Sequence, residues 1–162
     1  MIKMEGDALN RDIQRHIINA CIQWARIKGY SDSTGVLRGL VVLANEPMSL
    51  DDLASETGYS KSTVSVNMKQ LENLGVVKRI VIPGDKRHRY APIIDIDIIR
   101  TNMLNAINME LQIFSEALDK IEEDLEAEGE KAGHLLKRIA DLRESYEQEK
   151  KIIDILRKKR ES

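Results

Sequence analysis

Apolar residues along this chain follow one spacing, then another, then the first again. Leu9, Ile13, Ile17, Ala20, Trp24 and Ile27 recur at steps of three and four, which predicts an amphipathic helix that stops at Gly29. Val36, Leu40 and Leu43 predict a second helix over about 34–44, ended by "ANEPMS" because Pro47 disfavours helix at Glu46. Ser49, with Asp52 at N3, can cap a third helix, and Gly58 closes it after little more than two turns. Ser60 can cap a fourth, whose inward stripe is Val64, Met68, Leu71 and Leu74 and whose end is Gly75. Met48 with Leu53, and Tyr59 with Val64, are spaced for hydrophobic staples at these two starts. Two capped helices joined by Gly58 and Tyr59 predict a helix-turn-helix.

After Gly75 the period falls to two. "VVKRIVI" (76–82) is β-branched and strand-like, "PGDK" is a turn, and "RHRYAP" (87–92) is a returning strand, so a hairpin wing should follow the fourth helix. The helical spacing then resumes through Ile96, Ile99, Met103, Ile107, Leu111, Phe114, Leu118, Ile121 and Leu125. "EAEGEKAG" (126–133) breaks it, and Ala132, Leu135, Ile139, Leu142, Tyr146, Ile153 and Leu156 form a last series, with Glu149 in the missing seam position. Stripes this narrow on two long helices need each other and a second copy of the chain to be buried. The expected fold is mainly α: a winged helix-turn-helix with a small β-hairpin wing, flanked by dimerisation helices. Its expected divisions are an N-terminal dimerisation helix (1–29), a winged helix-turn-helix (30–92) and a C-terminal helical hairpin for dimerisation (93–162).

Composition narrows this without changing it. With 162 residues, 32% charged and 4% aromatic, one domain with helical appendages is expected rather than a sandwich or barrel. The lone Cys21 excludes an internal disulfide framework and fits a reducing compartment. No apolar run nears the ~18 residues of a membrane span, and "MIKMEGDALNRD" lacks a signal-peptide core. A cytoplasmic protein with no membrane partner is expected.

Charge is distributed unevenly. The whole chain carries a formal net −2, yet 60–92 holds seven basic side chains against two acidic ones. A polyanion could be attracted there even though the protein is not basic overall. On a helical wheel, the face opposite Val64, Met68 and Leu71 carries Ser62, Val66, Lys69 and Asn73, flanked by Lys61, Thr63, Ser65 and Gln70. Lys61 to Leu71 contains no acid, whereas an ordinary solvated face more often mixes Glu with Lys. Short hydroxyl and amide groups, one exposed methyl-bearing residue and cations suit a DNA major groove. Ser60 opens the helix, whose free N–H groups can take a phosphate. Asn67 lies nearer the buried side, where bonding to neighbouring backbone competes with base contact. In the wing, Lys86, Arg87, His88 and Arg89 crowd one turn, and Asp85 could orient Arg87 towards a minor groove. The expected DNA contacts are therefore Ser60, Lys61, Ser62, Thr63, Ser65, Val66, Asn67, Lys69, Gln70, Lys86, Arg87, His88 and Arg89. The alternative is a winged-helix protein-docking module without base readout, since fold alone does not fix function.

The run from Gly35 to Tyr90, about a third of the chain, resembles the MarR superfamily of winged-helix regulators, in particular its GbsR-like branch. "SLDDLA", "GYSKSTVS", "LENLGVV" and "GDKR" fall in that order, and Asp85 with Arg87 is similar to the D-x-R wing signature. Pro92 departs from the pattern and implies a short second wing strand. The resemblance implies a homodimeric transcriptional regulator on a pseudopalindromic double-stranded operator, with helix 61–74 in the major groove and wing 83–89 on minor groove or phosphates. It also leaves room for a small-molecule effector or a protein co-regulator. Members of that branch respond to choline-like osmolytes, which need an aromatic cage, and the aromatics here are Trp24, Tyr30, Tyr59, Tyr90, Phe114 and Tyr146.

Other chemistry is thin. His16, His88 and His134 fall on three elements with no second ligand at zinc spacing. No nucleophile–base pair, phosphate loop or paired acidic motif is present, so neither an enzyme nor a cofactor is expected. Cys21 adjoins the Ile17–Trp24 stripe and reads as a buried structural thiol, with redox sensing as the alternative. "RKKR" (157–160) complements a helix C-terminus.

Overall fold

Short helices in this protein begin and end where side chains and glycines can satisfy their free backbone groups. The computed structural model describes residues 2–128 and 133–159, with side chains placed for 10–125 and 133–159. Its elements are α1 (Ile2–Ile27), α2 (Asp32–Leu43), β1 (Met48–Ser49), α3 (Leu50–Thr57), α4 (Lys61–Asn73), β2 (Val77–Ile80), β3 (Arg89–Pro92), α5 (Ile96–Glu128) and α6 (Gly133–Lys158). Ser31, Ser49 and Ser60 cap α2, α3 and α4. At α3 the box is complete: Asp52 N–H donates to Ser49 Oγ (3.1 Å) and Ser49 N–H donates to Asp52 Oδ2 (2.8 Å). Gly58 ends α3 at φ 71°. Gly75, at φ 69°, closes α4 as Val76 N–H reaches back to Leu71 O (3.2 Å).

The chain forms two compact units, Met1–Ile99 and Arg100–Ser162. In the first, Leu37 and Val41 of α2, Leu53 of α3, and Val64, Met68 and Leu71 of α4 share one core with Val76, Val77 and Tyr90. Each such side chain contributes roughly 1.5–3 kcal/mol when fully buried, against about 1 kcal/mol for a cap. Packing therefore supplies most of the stability, and the caps fix the boundaries. The sheet is antiparallel in the order β1-β3-β2. Val77 pairs with Pro92 and Ile80 with Arg89, which gives the expected wing a short second strand.

Three expectations need correcting. The sheet has a third strand, β1, in which Met48 pairs with Tyr90 and Ser49 with Arg89; two residues leave no periodic trace. In α2 the core positions are Leu37 and Val41, while Val36, Leu40 and Leu43 are only half-buried. In α1 the buried residues are Cys21 and Ala25, flanked by half-buried Ile18 and Ile22, while Ile13, Ala20 and Ile27 face outward. Gly35 and Gly39 explain this shift. They let α2 approach α1 at Ile18, Cys21 and Ile22, so contact follows the small residues rather than the most apolar stripe.

In the second unit α5 and α6 run antiparallel. Leu104 and Leu111 of α5 bury Ile153 of α6 between them, joined by Ile107 and Tyr146, and the Phe114 and Tyr146 rings stack at 4.9 Å. Arg143 bonds Glu122 and Asp119 across the pair. Met103, Phe114, Ile121, Leu135, Leu142 and Leu156, all expected in the seams, remain substantially exposed. Within the expected break at 126–133, residues 129–132, including Ala132, lie outside the described residues, as does the side chain of Leu9.

Gly35 offers a test with a definite sign. A Cβ there would sit 2.4 Å from Ile22 Cα and 2.7 Å from Cys21 O. Helix propensity alone makes Gly→Ala stabilising by about 1 kcal/mol, but backbone cannot yield as a side chain can. Gly35→Ala should lower the urea midpoint, with a loss of about 1–3 kcal/mol; an unchanged or raised midpoint would disprove the close approach.

Candidate nucleic-acid interface

With Val64, Met68 and Leu71 buried, α4 presents Ser62, Ser65, Val66, Lys69 and Asn73 to solvent. Val66 is 60% exposed, an uncompensated apolar surface in the middle of that face. Thr63 and Gln70 are half-buried along its edge. At its start the hydroxyls of Ser60, Ser62 and Thr63 gather: Ser60 Oγ lies 2.9 Å from Ser62 Oγ and 2.8 Å from Thr63 Oγ1, and it accepts from Thr63 N–H (3.1 Å). Lys61 Nζ is 2.7 Å from Asp51 Oδ1. That pair is exposed and weakly held, so a phosphate could displace the carboxylate.

The wing presents its cations from a fixed base. Arg87 Nε and Nη2 donate to Asp85 Oδ1 and Oδ2 (3.0 and 3.2 Å), Arg87 N–H donates to Oδ1 (3.0 Å), and Arg89 Nε donates to Oδ2 (2.9 Å). The Arg87 side chain, with that N–H and Arg89, holds the Asp85 carboxyl well below the usual carboxylate range. A depressed pKa means the clasp is present throughout neutral pH and is lost only as strong acid protonates Asp85. Lys86, Arg87 and His88 are exposed at the tip. Lys61 joins them around a cleft of about 250 Å³ beside the start of α3, lined also by Ser49, Leu50 and Asp51. Cations from α4 and from the wing thus converge on one depression.

Two of the expected contacts are committed elsewhere. Asn67 is buried, its Oδ1 accepting from Thr34 and Ser31 and its Nδ2 donating to Thr63 O (2.7 Å). Arg89 is half-buried, with Nη1 donating to Pro47 O (3.1 Å) and lying 3.4 Å from Asp52 Oδ2, so it ties the wing to the α3 cap. Asn67 does not reach the surface, and the donors of Arg89 are turned to these partners rather than outward. The carboxylate of Asp51 beside Lys61 was not foreseen, because the acid-free run of α4 gains this neighbour only in space. Glu72, the acid just after that run, is taken up by Arg79 (2.8 Å).

Elsewhere the chemistry is structural. Burial pushes the Cys21 thiol up, partly opposed by Arg38, a poor setting for a reactive thiolate. The Arg38 guanidinium covers Trp24 (3.9 Å), and Tyr59 and Tyr90 belong to the winged-helix core. Arg157 donates to Asn105 Oδ1 (3.0 Å) rather than to the end of its own helix, and Arg160 lies outside the described residues. Among the described residues no group of three or more His, Cys, Asp or Glu could hold a metal ion, and no helix is long and apolar enough to cross a membrane.

Comparison with known proteins bears on this geometry. The sequence profile of the MarR family matches residues 35–88, which run from α2 to the wing tip. The chain is 27% identical over 111 residues to the HTH-type transcriptional repressor GbsR of Bacillus subtilis (strain 168). That match covers 68% of this chain and spans 61% of the relative's length. A transcriptional regulator of known crystal structure shares the fold at a TM-score of 0.66, with 18% identity, over 92% of this chain and 99% of its own. Capped helices, glycine-closed ends and a three-stranded sheet agree with these matches: the fold is a winged helix, and residues 35–88 within it match the MarR family.

Proposed function

We propose that this protein is a sequence-specific, DNA-binding transcriptional regulator that acts as a homodimer on a pseudopalindromic operator. Helix 61–74 enters the major groove, where Ser62, Ser65, Val66 and Lys69 meet base edges and phosphates, with Thr63 and Gln70 at the margin. Wing 83–89 lies on minor groove or phosphates through Lys86, Arg87 and His88. The observation that carries this reading is the outward face of α4: free of acid, apolar at Val66, and continuous with a cationic cleft. Resemblance to a curated transcriptional repressor supports it. The second copy is supported by the apolar side chains that α5 and α6 leave exposed, among them Met103, Phe114, Leu142 and Leu156. Such stripes are buried when two hairpins pack together. Symmetry then places two α4 helices about one DNA turn apart, ~34 Å, or a multiple of that distance.

Selection of bound fragments from the source genome, repeated at several salt concentrations, tests the reading. With about 6–10 phosphates neutralised per dimer, affinity should fall roughly 10³–10⁵-fold between 50 and 200 mM salt. Salt-insensitive binding, or none to any fragment, would indicate a protein-docking module instead. Asp85→Asn gives a sharper result. Removing a negative charge near DNA should strengthen binding if net charge alone matters. Because Asp85 aims Arg87, the substitution should instead weaken operator binding, measured by fluorescence anisotropy at neutral pH; a gain in affinity would show that the clasp has no orienting role.

A further inference from the structure

Among the core-facing positions of α4, one is polar. Asn67 sits between the buried stripe and the outward face, and its amide oxygen is engaged across the gap to α2. Thr34 Oγ1–H donates to Asn67 Oδ1 (2.5 Å), and Ser31 Oγ–H donates to the same oxygen (3.1 Å). A carbonyl oxygen has two lone pairs, so these donors fill it. Ser33 Oγ, 3.4 Å from Asn67 but 2.7 Å from Ser31 Oγ, gives its proton to Ser31. Ser31 Oγ also accepts from Thr34 N–H (3.4 Å) as the α2 cap, which completes its valences. On the other side Asn67 Nδ2 donates to Thr63 O (2.7 Å), a group that can only accept, so the amide has one orientation. Thr34 has a single proton and lies 3.3 Å from Gln70 Oε1. The shorter bond takes it.

We infer that Asn67 is a positioning residue for sequence selection: its amide, clasped by the Ser31–Thr34 cap of α2, fixes the rotation of α4 about its own axis. The inference rests on the DNA-reading proposal above. Val64, Met68 and Leu71 cannot set that angle alone, because apolar burial is non-directional and changes slowly with rotation. Hydrogen bonds are directional and weaken steeply when misaligned. The distinction matters at the outer surface. At a helix radius of about 5–6 Å with side chains, a turn of roughly 10° carries a side-chain tip by about 1 Å, more than the ~0.5 Å range of good N–H···O distances. An apolar residue at 67 could serve stability as well, since replacing both partners of a buried hydrogen bond with apolar groups can be nearly neutral. What a leucine could not supply is a unique angle.

The test compares operator with random duplex in fragments selected by the wild-type chain. Thr34→Val removes one donor while keeping shape; Ser31→Gly removes the other at a cap position where glycine costs only a few tenths of a kcal/mol. Each should reduce the operator-to-random affinity ratio on the order of tenfold, the scale of a mismatched base pair. Random-duplex affinity and its salt slope should stay at wild-type values, because the phosphate contacts are elsewhere. Thr34→Ser, which restores the hydroxyl, should recover the ratio. If Thr34→Val fails to fold, Ser31→Gly decides the question. An unchanged ratio in a folded variant, or an equal loss on both duplexes, overturns the inference and leaves Asn67 a packing residue. A wild-type chain that selects no duplex defeats the DNA-reading proposal first, and this inference with it.

Discussion

Val64, Met68 and Leu71 share the interior with Leu37, Val41 and Leu53, and that shared burial decides which side of α4 meets water. A helix of 13 residues has little stability of its own. It persists because one side is inserted into this core, and its other side is thereby presented. The wing depends on the same cluster: Val77 and Tyr90 hold β2 and β3 in it, so the hairpin tip projects from a base that shares the α4 foundation. Helix face and wing tip are consequently parts of one rigid arrangement, and the cleft they share with Lys61 and Arg87 follows from it.

Polar contacts divide by what they can do. Exposed ion pairs contribute about 0–1 kcal/mol each, too little to hold the fold against the cost of ordering the chain. Their value lies in direction. Asp85 holds two arginines with opposite assignments, Arg87 towards solvent and Arg89 inward to Pro47 O and the α3 cap. The clasp adds one negative charge to the surface and gives the hairpin tip a cation of defined direction. The Asn67–Thr34 bond differs because it is buried. There each donor must find an acceptor, so its geometry is constrained in a way that a surface pair is not.

The helix-turn-helix was legible because its signals are local. Ser49 with Asp52, Gly58, Ser60 and Gly75 mark boundaries within a few residues of where they act, and the wheel needed only the spacing of Val64, Met68 and Leu71. What escaped depended on contacts distant in sequence. The strand at Met48–Ser49 exists because Tyr90 and Arg89 are beside it. The buried face of α1 was misjudged because glycines on α2, not apolarity on α1, choose the contact. Arg89 was counted with its neighbours in the wing, yet strand alternation already gave a hint: paired with Ile80 and Ser49, it belongs to the sheet rather than the tip. Asn67 was visible as a borderline position on the wheel, and only Ser31 and Thr34 of another helix resolve it.

The second unit carries an apolar surface larger than its own two helices cover, and the proposed dimer would bury it while repeating the reading face. Both halves of that account can be examined at once. Cys21 is buried, so Val66→Cys creates the accessible thiol among the described residues, and a tethered DNA-cleaving reagent there reports where α4 lies on a bound duplex. The account predicts two compact cleavage centres on an operator fragment, separated by about 34 Å along the axis or a multiple of it. Diffuse cleavage, a single centre, or none with bound DNA would contradict it.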